Sequence, residues 1–240
     1  MCDHPSHSLQ SRRQFLEAGL GLLALSAITP MRAFAQMPPK QNTMSPDDAL
    51  KRLMEGNARY AANQIDAKDF SSGRAARAKA QYPIAAILSC ADSRVAPELI
   101  FDQEPGDLFV VRVAGNYLSS DSLASLEYAV GVLKVPLIMV LGHTECGAIK
   151  ATLSEIKQAQ PLPGRIWDIV DAVRPGVIRA AEAGGSDVLI NAIDANVDYN
   201  VTRVATAQPV ISEVVHHGTA KVVGAVYDLA TGKVLMRKGA

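Results

Sequence analysis

Neither sign of charge prevails in this sequence: 24 basic residues stand against 24 acidic ones. A balanced chain gives no electrostatic footing for a nucleic-acid backbone or an anionic membrane surface. Long apolar runs are missing too. No stretch reaches the roughly 18–20 residues that a membrane-spanning helix needs. Cysteine is scarce, with three in 240 residues: Cys2, Cys90 and Cys146. That excludes a four-cysteine structural metal site and leaves at most one disulfide within the globular part. What remains is a chain 48% hydrophobic, enough for one large core.

The first 35 residues differ from the rest. "SRRQFLEAGLGLLALSAITPMRAFAQ" carries Arg12-Arg13, then Phe15 and Leu16, a modest apolar run from Ala18 to Ile28, and Ala33-Phe34-Ala35 as a small-residue cleavage pattern. This is the layout of a twin-arginine export signal, with Arg32 fitting that type better than a general secretory signal. Residues 1–35 are therefore expected to be removed, with export to the periplasm or beyond and no membrane association afterwards. Cys2 leaves with them. In an exported protein the two remaining cysteines suggest either one disulfide or two thiolates held by a metal. Metal loaded before export of the folded chain would protect both thiols.

Residues 36–45 read as a linker and 46–240 as a single domain without internal repeats. "SPDDALKRLMEGNARYAAN" opens a helix over 46–61, with Ser45 as N-cap, Pro46 in the first helical position and Asp48 completing a capping-box pattern. Leu50, Leu53, Met54, Ala58 and Ala61 give it an apolar face. "GRAARAKAQY" reads as a short helix with a solvated basic face. Then the chain alternates. "PIAAILS" (83–89) and "PLIMVLG" (136–142) are wholly apolar, as in strands buried on both faces. "DLFVVRV" (107–113) is a further strand. Helical periods occupy "APELIF", 122–133, 147–160 and most of 164–217, with breaks near Gly184-Gly185 and Pro209. A closing pair of strands turns at Thr231-Gly232. The expected class is α/β with a mainly parallel sheet flanked by helices.

In such sheets ligands bind beyond the carboxyl ends of the strands. Two strands run into polar clusters there: Ser89-Cys90-Ala91-Asp92-Ser93-Arg94 and Gly142-His143-Thr144-Glu145-Cys146-Gly147. Cys90, His143 and Cys146 supply two sulfurs and one nitrogen. Zinc accepts those donors, and three protein ligands with one open position describe a catalytic site rather than a structural one. The fourth ligand is then Asp92, water or a substrate oxygen. Asp92 and Arg94, two residues apart, suit a bidentate ion pair that keeps the carboxylate charged. Gly142 and Gly147 are expected to let the backbone approach closely. A disulfide-stabilised binding module and a zinc-binding protein without turnover stay open at this level.

The stretches "SCADSR", "PGDLFVVRVAGN", "SLEYAV", "VLGHTECGAIKA" and "VVGAVYDLATGKV" resemble a β-class carbonic anhydrase across about residues 45–240, in order and spacing. The resemblance implies reversible hydration of carbon dioxide to bicarbonate and a proton by zinc-bound hydroxide, with one zinc per subunit. It implies that Cys90, His143 and Cys146 bind zinc, with Asp92 and Arg94 as the catalytic dyad. It also implies that Gln81, Phe109, Tyr128 and Gly147 meet the substrate, as in the plant-like branch. Ala114 departs from that branch, where a larger aliphatic is common. Trp167 lies outside the region where the other branch uses a tryptophan to bind inhibitory bicarbonate, so no such site is expected. The family fold adds an antiparallel edge strand and assembles as dimers or tetramers, with the 46–61 helix on the partner. Hydrolysis of carbon disulfide or carbonyl sulfide on the same scaffold is the rival reading. His216 and His217 are candidates, by residue type, for exporting the proton.

Overall fold

A computed structural model describes residues 43–71, 73–159 and 161–237. The expected export signal and residues 36–42 of the linker lie outside the described residues. In chain order the elements are α1 (Pro46–Ala61), α2 (Arg74–Arg77), β1 (Ala85–Ser89), α3 (Pro97–Ile100), β2 (Leu108–Arg112), α4 (Ser120–Gly131), β3 (Leu137–His143), α5 (Gly147–Gln158), α6 (Ile166–Ala183), α7 (Val188–Ala205), α8 (Val210–His216), β4 (Lys221–Tyr227) and β5 (Val234–Met236). No helix among the described residues is long and apolar enough to cross a membrane.

The sheet runs β2-β1-β3-β4-β5. The first four strands are parallel, and only β5 pairs antiparallel, as an edge. The two wholly apolar runs become the central strands β1 and β3, every residue of which is buried. Alternation sorts their side chains onto two faces. Ala86, Leu88, Ile138 and Val140 join a core with α4 to α7, and Cys90 continues that face. Ala85, Ile87, Leu137, Met139 and Leu141 join a second core under α1 and α3.

This order creates a switch point. From β1 the chain crosses to β2 on one side, while from β3 it goes on to β4 on the other. The crevice between the carboxyl ends of β1 and β3 is thus left open by both connections. Ser89 pairs with Leu141, so Cys90 and the Gly142-His143 step emerge side by side into it. Gly142 is required there: a Cβ would lie 2.6 Å from Val197 Cγ2 on α7, a side chain too stiff to yield.

Helix α1 differs in detail from its sequence reading. Ser45 accepts from the Asp48 N–H at 3.1 Å, but the Asp48 carboxylate accepts from the Ser45 hydroxyl, so only half of a capping box forms. The buried stripe is Ala49, Leu53, Gly56 and Asn57. Of the expected apolar face, Leu53 alone is fully buried, Leu50, Met54 and Ala61 are half-buried, and Ala58 is exposed. The shift arises because Asn57 spends its amide on the Ile100 and Gly232 carbonyls and accepts from the Val234 N–H.

Candidate metal centre

Cys90 follows β1, His143 ends β3, and Cys146 precedes α5. The donor atoms of all three lie within 4.8 Å of one another, and all three residues are buried. The β3–α5 turn makes this possible. Glu145 adopts φ +61°, a left-handed residue that reverses the chain so that His143 and Cys146 face one point. The Glu145 carboxylate is turned to Lys150 instead.

The protonation pattern suits a metal. His143 Nδ1 lies 2.9 Å from the Thr144 carbonyl, which accepts the Nδ1–H and so fixes the tautomer. Nε2 is then an unprotonated donor, buried and without any hydrogen-bond partner. An orphaned lone pair beside two sulfurs is costly unless a cation takes it up. The Cys90 thiol is pulled down to about 4, first by a hydrogen bond from Cys146 and also by the Gly115 N–H. The Gly115 contact measures 3.3 Å. Cys146 is pushed up because it holds the proton of that pair against the Cys90 sulfur and is itself buried. Cys146 also sits at the amino end of α5, where the Ile149 and Ala148 N–H groups favour its thiolate. The donor set therefore fits zinc: two sulfurs sharing one displaceable proton, and one free imidazole nitrogen. Both cysteines are free, without a disulfide.

Asp92 lies at the rim. Arg94 donates to it through Nε at 2.9 Å, Nη2 at 2.8 Å and its backbone N–H at 3.0 Å. These bonds, the side-chain ones foremost, hold the Asp92 carboxyl well below the usual carboxylate range. Asp92 Oδ2 is 3.9 Å from His143 Nε2. Arg112 was not singled out from sequence, where it reads as the polar end of a strand. It donates to the Cys90 carbonyl at 3.1 Å and the Asp92 carbonyl at 2.7 Å, bracing the loop that carries both.

The remaining expected site residues are distributed differently. Gly147 is exposed, and a Cβ there would meet nothing within 4 Å. The expected close backbone approach therefore holds for Gly142 and not for Gly147, because no atom of the described residues packs over it. Gln81 is exposed and precedes the amino end of β1. Phe109 pairs with Ala86, four positions before Cys90, about 13 Å back along the strand. Tyr128 on α4 stands beside it, ring centroids 6.3 Å apart, and is 47% exposed. A single chain thus leaves these three away from the metal ligands. His216 and His217 form an exposed ring pair at the end of α8, before the amino end of β4. That is the opposite sheet edge, so they do not serve the centre of their own chain.

The carbonic anhydrase family model matches residues 85–234. A carbonic anhydrase of Mycolicibacterium smegmatis is 43% identical over 195 residues, covering 80% of this chain and 94% of that protein. Among solved structures, the β-carbonic anhydrase of Coccomyxa aligns with a TM-score of 0.61 and 33% identity, over 78% of this chain and 85% of that one. One of two tetrameric β-carbonic anhydrases of Sordaria macrospora aligns with a TM-score of 0.63 and 26% identity, over 76% and 91% respectively.

Proposed function

This chain belongs to the β-class carbonic anhydrase family, and from that premise we propose that its Cys90–His143–Cys146 centre works with Asp92 and Arg94 to hydrate carbon dioxide reversibly. The observation that carries the reading is the orphaned His143 Nε2 facing two sulfurs at the switch point. When bound, zinc would supply the Lewis acidity that makes a water easier to deprotonate. Every other task falls to the protein. His143 is held by Thr144 so that its lone pair points at the metal position. Arg94 engages both oxygens of Asp92, which keeps that carboxylate ionised and would keep it from serving as a metal ligand. The charged Asp92 then orients the nucleophile and accepts a hydrogen bond from it.

Gln81, Phe109 and Tyr128 are proposed to complete the pocket from a second copy, in the manner of the plant-like branch. Their distance from the metal ligands of their own chain supports this, as does the exposed Tyr128 beside β2, the outermost strand of the sheet. The assembly is then at least a homodimer, with Gln81 donating to the bicarbonate formed. We further propose export by the twin-arginine route, supported by Arg12-Arg13, the short apolar run and Ala33-Phe34-Ala35. A reporter fused to residues 1–35 should reach the periplasm, and Arg12→Lys with Arg13→Lys should hold it back. Unimpeded export of the double variant would point to a general secretory signal.

The test of the activity is stopped-flow hydration of carbon dioxide by zinc-analysed protein from neutral to alkaline pH. Two thiolates offset the zinc charge, so the active water acidifies less than at a three-histidine site, and turnover should climb above neutral pH. Asp92 cannot cause that climb. Its carboxyl is depressed, so it is already charged throughout the range. Turnover far above buffer, lost on chelation and restored by zinc, is the expected result. A flat pH profile would refute the two-thiolate argument, and no turnover with zinc bound would refute the substrate.

A further inference from the structure

Helix α7 carries a polar stripe that neither the fold nor the dyad accounts for. Asn196, Asn200 and Arg203 recur at i, i+4 and i+7 and so share one face. Asn196 is 1% exposed and Asn200 is fully buried. All three reach the loop between β2 and α4. Asn196 Nδ2 donates to the Gly115 carbonyl at 3.0 Å. Asn200 Oδ1 accepts from the Leu118 N–H at 2.9 Å, and Arg203 Nη1 donates to the Leu118 carbonyl at 2.9 Å. Asn200 Nδ2 turns back to the carbonyl and side-chain oxygen of Asn196, at 2.8 and 3.2 Å. That second contact leaves Asn196 Nδ2 as the end that faces Gly115.

Gly115 is the residue whose N–H lies 3.3 Å from Cys90 Sγ. Its φ is +87°, and a Cβ there would come within 3.0 Å of both Ala148 Cβ on α5 and Val173 Cγ2 on α6. The glycine is thus confined by two helices, while α7 grips its carbonyl. Room for Asn196 comes from Gly176, where a Cβ would lie 3.1 Å from Asn196 Oδ1. The N–H of Gly115 and the carbonyl held by Asn196 hinge on a single Cα, and with α5 and α6 packed against that Cα, holding the carbonyl restricts how far the N–H can swing.

We propose that Asn196, braced by Asn200, is a positioning residue of the metal centre: it aims the Gly115 N–H at the Cys90 sulfur and thereby tunes and preorganises that ligand. The proposal rests on Cys90 being a metal ligand. Outer partners of ligands commonly govern metal affinity by about 10–100-fold, and an N–H bond to a thiolate draws charge from the sulfur.

The first arm uses wild-type protein loaded with cadmium-113. A through-bond coupling between the metal and the Gly115 amide proton is expected, and its absence with one equivalent of cadmium bound overturns the proposal. The second arm compares Asn196→Ala with Val201→Ala, a core truncation on the same helix. Asn196→Ala should bind zinc about 10–100-fold more weakly in chelator competition. With cobalt(II) in place of zinc, its thiolate-to-metal charge-transfer band should move to longer wavelength. Val201→Ala should unfold at lower temperature with that band unmoved. Unchanged zinc affinity and an unmoved band in Asn196→Ala would overturn the proposal. If Asn196→Ala does not fold, the cadmium coupling decides. A wild type that takes up no metal would sink the zinc reading itself, and this inference with it.

Discussion

Cys146→Ser is expected to abolish turnover and zinc retention together. Serine has nearly the same volume, so the 1%-exposed position stays filled. It is also a better helix cap than cysteine, and Cys146 makes no side-chain cap to α5. The fold should therefore survive, which separates the metal chemistry from stability. What is lost is one of two thiolates, and a neutral hydroxyl is a poor replacement for a charged, soft ligand. Carbon dioxide hydration should fall to the buffer rate, a loss of about 10⁶-fold or more. Added zinc should raise the unfolding temperature of the wild type by mass action and leave the variant unmoved. A variant that keeps one zinc per chain and full rate would remove Cys146 from the centre.

Asp92→Asn separates metal binding from catalysis. The substitution keeps the shape and removes the charge that Arg94 holds at 2.8 and 2.9 Å. Zinc should stay, since the three ligands are untouched, while kcat/KM should drop by about 10²–10⁴-fold, the usual worth of a positioned acceptor of a proton. Retention of full rate would mean that the Asp92–Arg94 pair only braces the rim, which Arg112 already does through the Cys90 and Asp92 carbonyls. The variant also tests where Gln81 acts. Mixed with Gln81→Ala, and allowed to exchange subunits, the two impaired chains should recover activity. One site of each mixed dimer then has its own Asp92 and its neighbour's Gln81. If Gln81 served its own chain, both sites would stay impaired and no recovery would follow.

Two apolar runs of seven residues, each ending in polar side chains, were enough to read in sequence the central strands and the edge of the sheet where chemistry occurs. Burial on both faces leaves such strands no polar alternation, and a parallel sheet puts ligands at its carboxyl edge. The gathering of Cys90, His143 and Cys146 and the pairing of Asp92 with Arg94 were legible for the same reason: each cluster follows a buried strand, and β1 and β3 lie side by side. The helix over 46–61 was legible in its limits and one position out in its buried face, because the pull of Asn57 on Ile100, Gly232 and Val234 is not local.

Tertiary structure decided what depends on separation through space. Gln81 is nine positions from Cys90 in sequence, yet lies before the opposite end of a buried strand, so sequence separation alone does not say which metal centre it faces. His216 and His217 fall at the far edge for the same reason. Neither Arg112 nor Asn196 stands out in the sequence. Each acquires its role from a partner that sequence distance hides, the Cys90 and Asp92 carbonyls in one case and the Gly115 carbonyl in the other. Ligand identity follows from side-chain chemistry and short-range spacing, which a sequence records directly. The hydrogen bonds that aim those ligands join backbone groups present at every residue, so only the folded chain selects which of them meet.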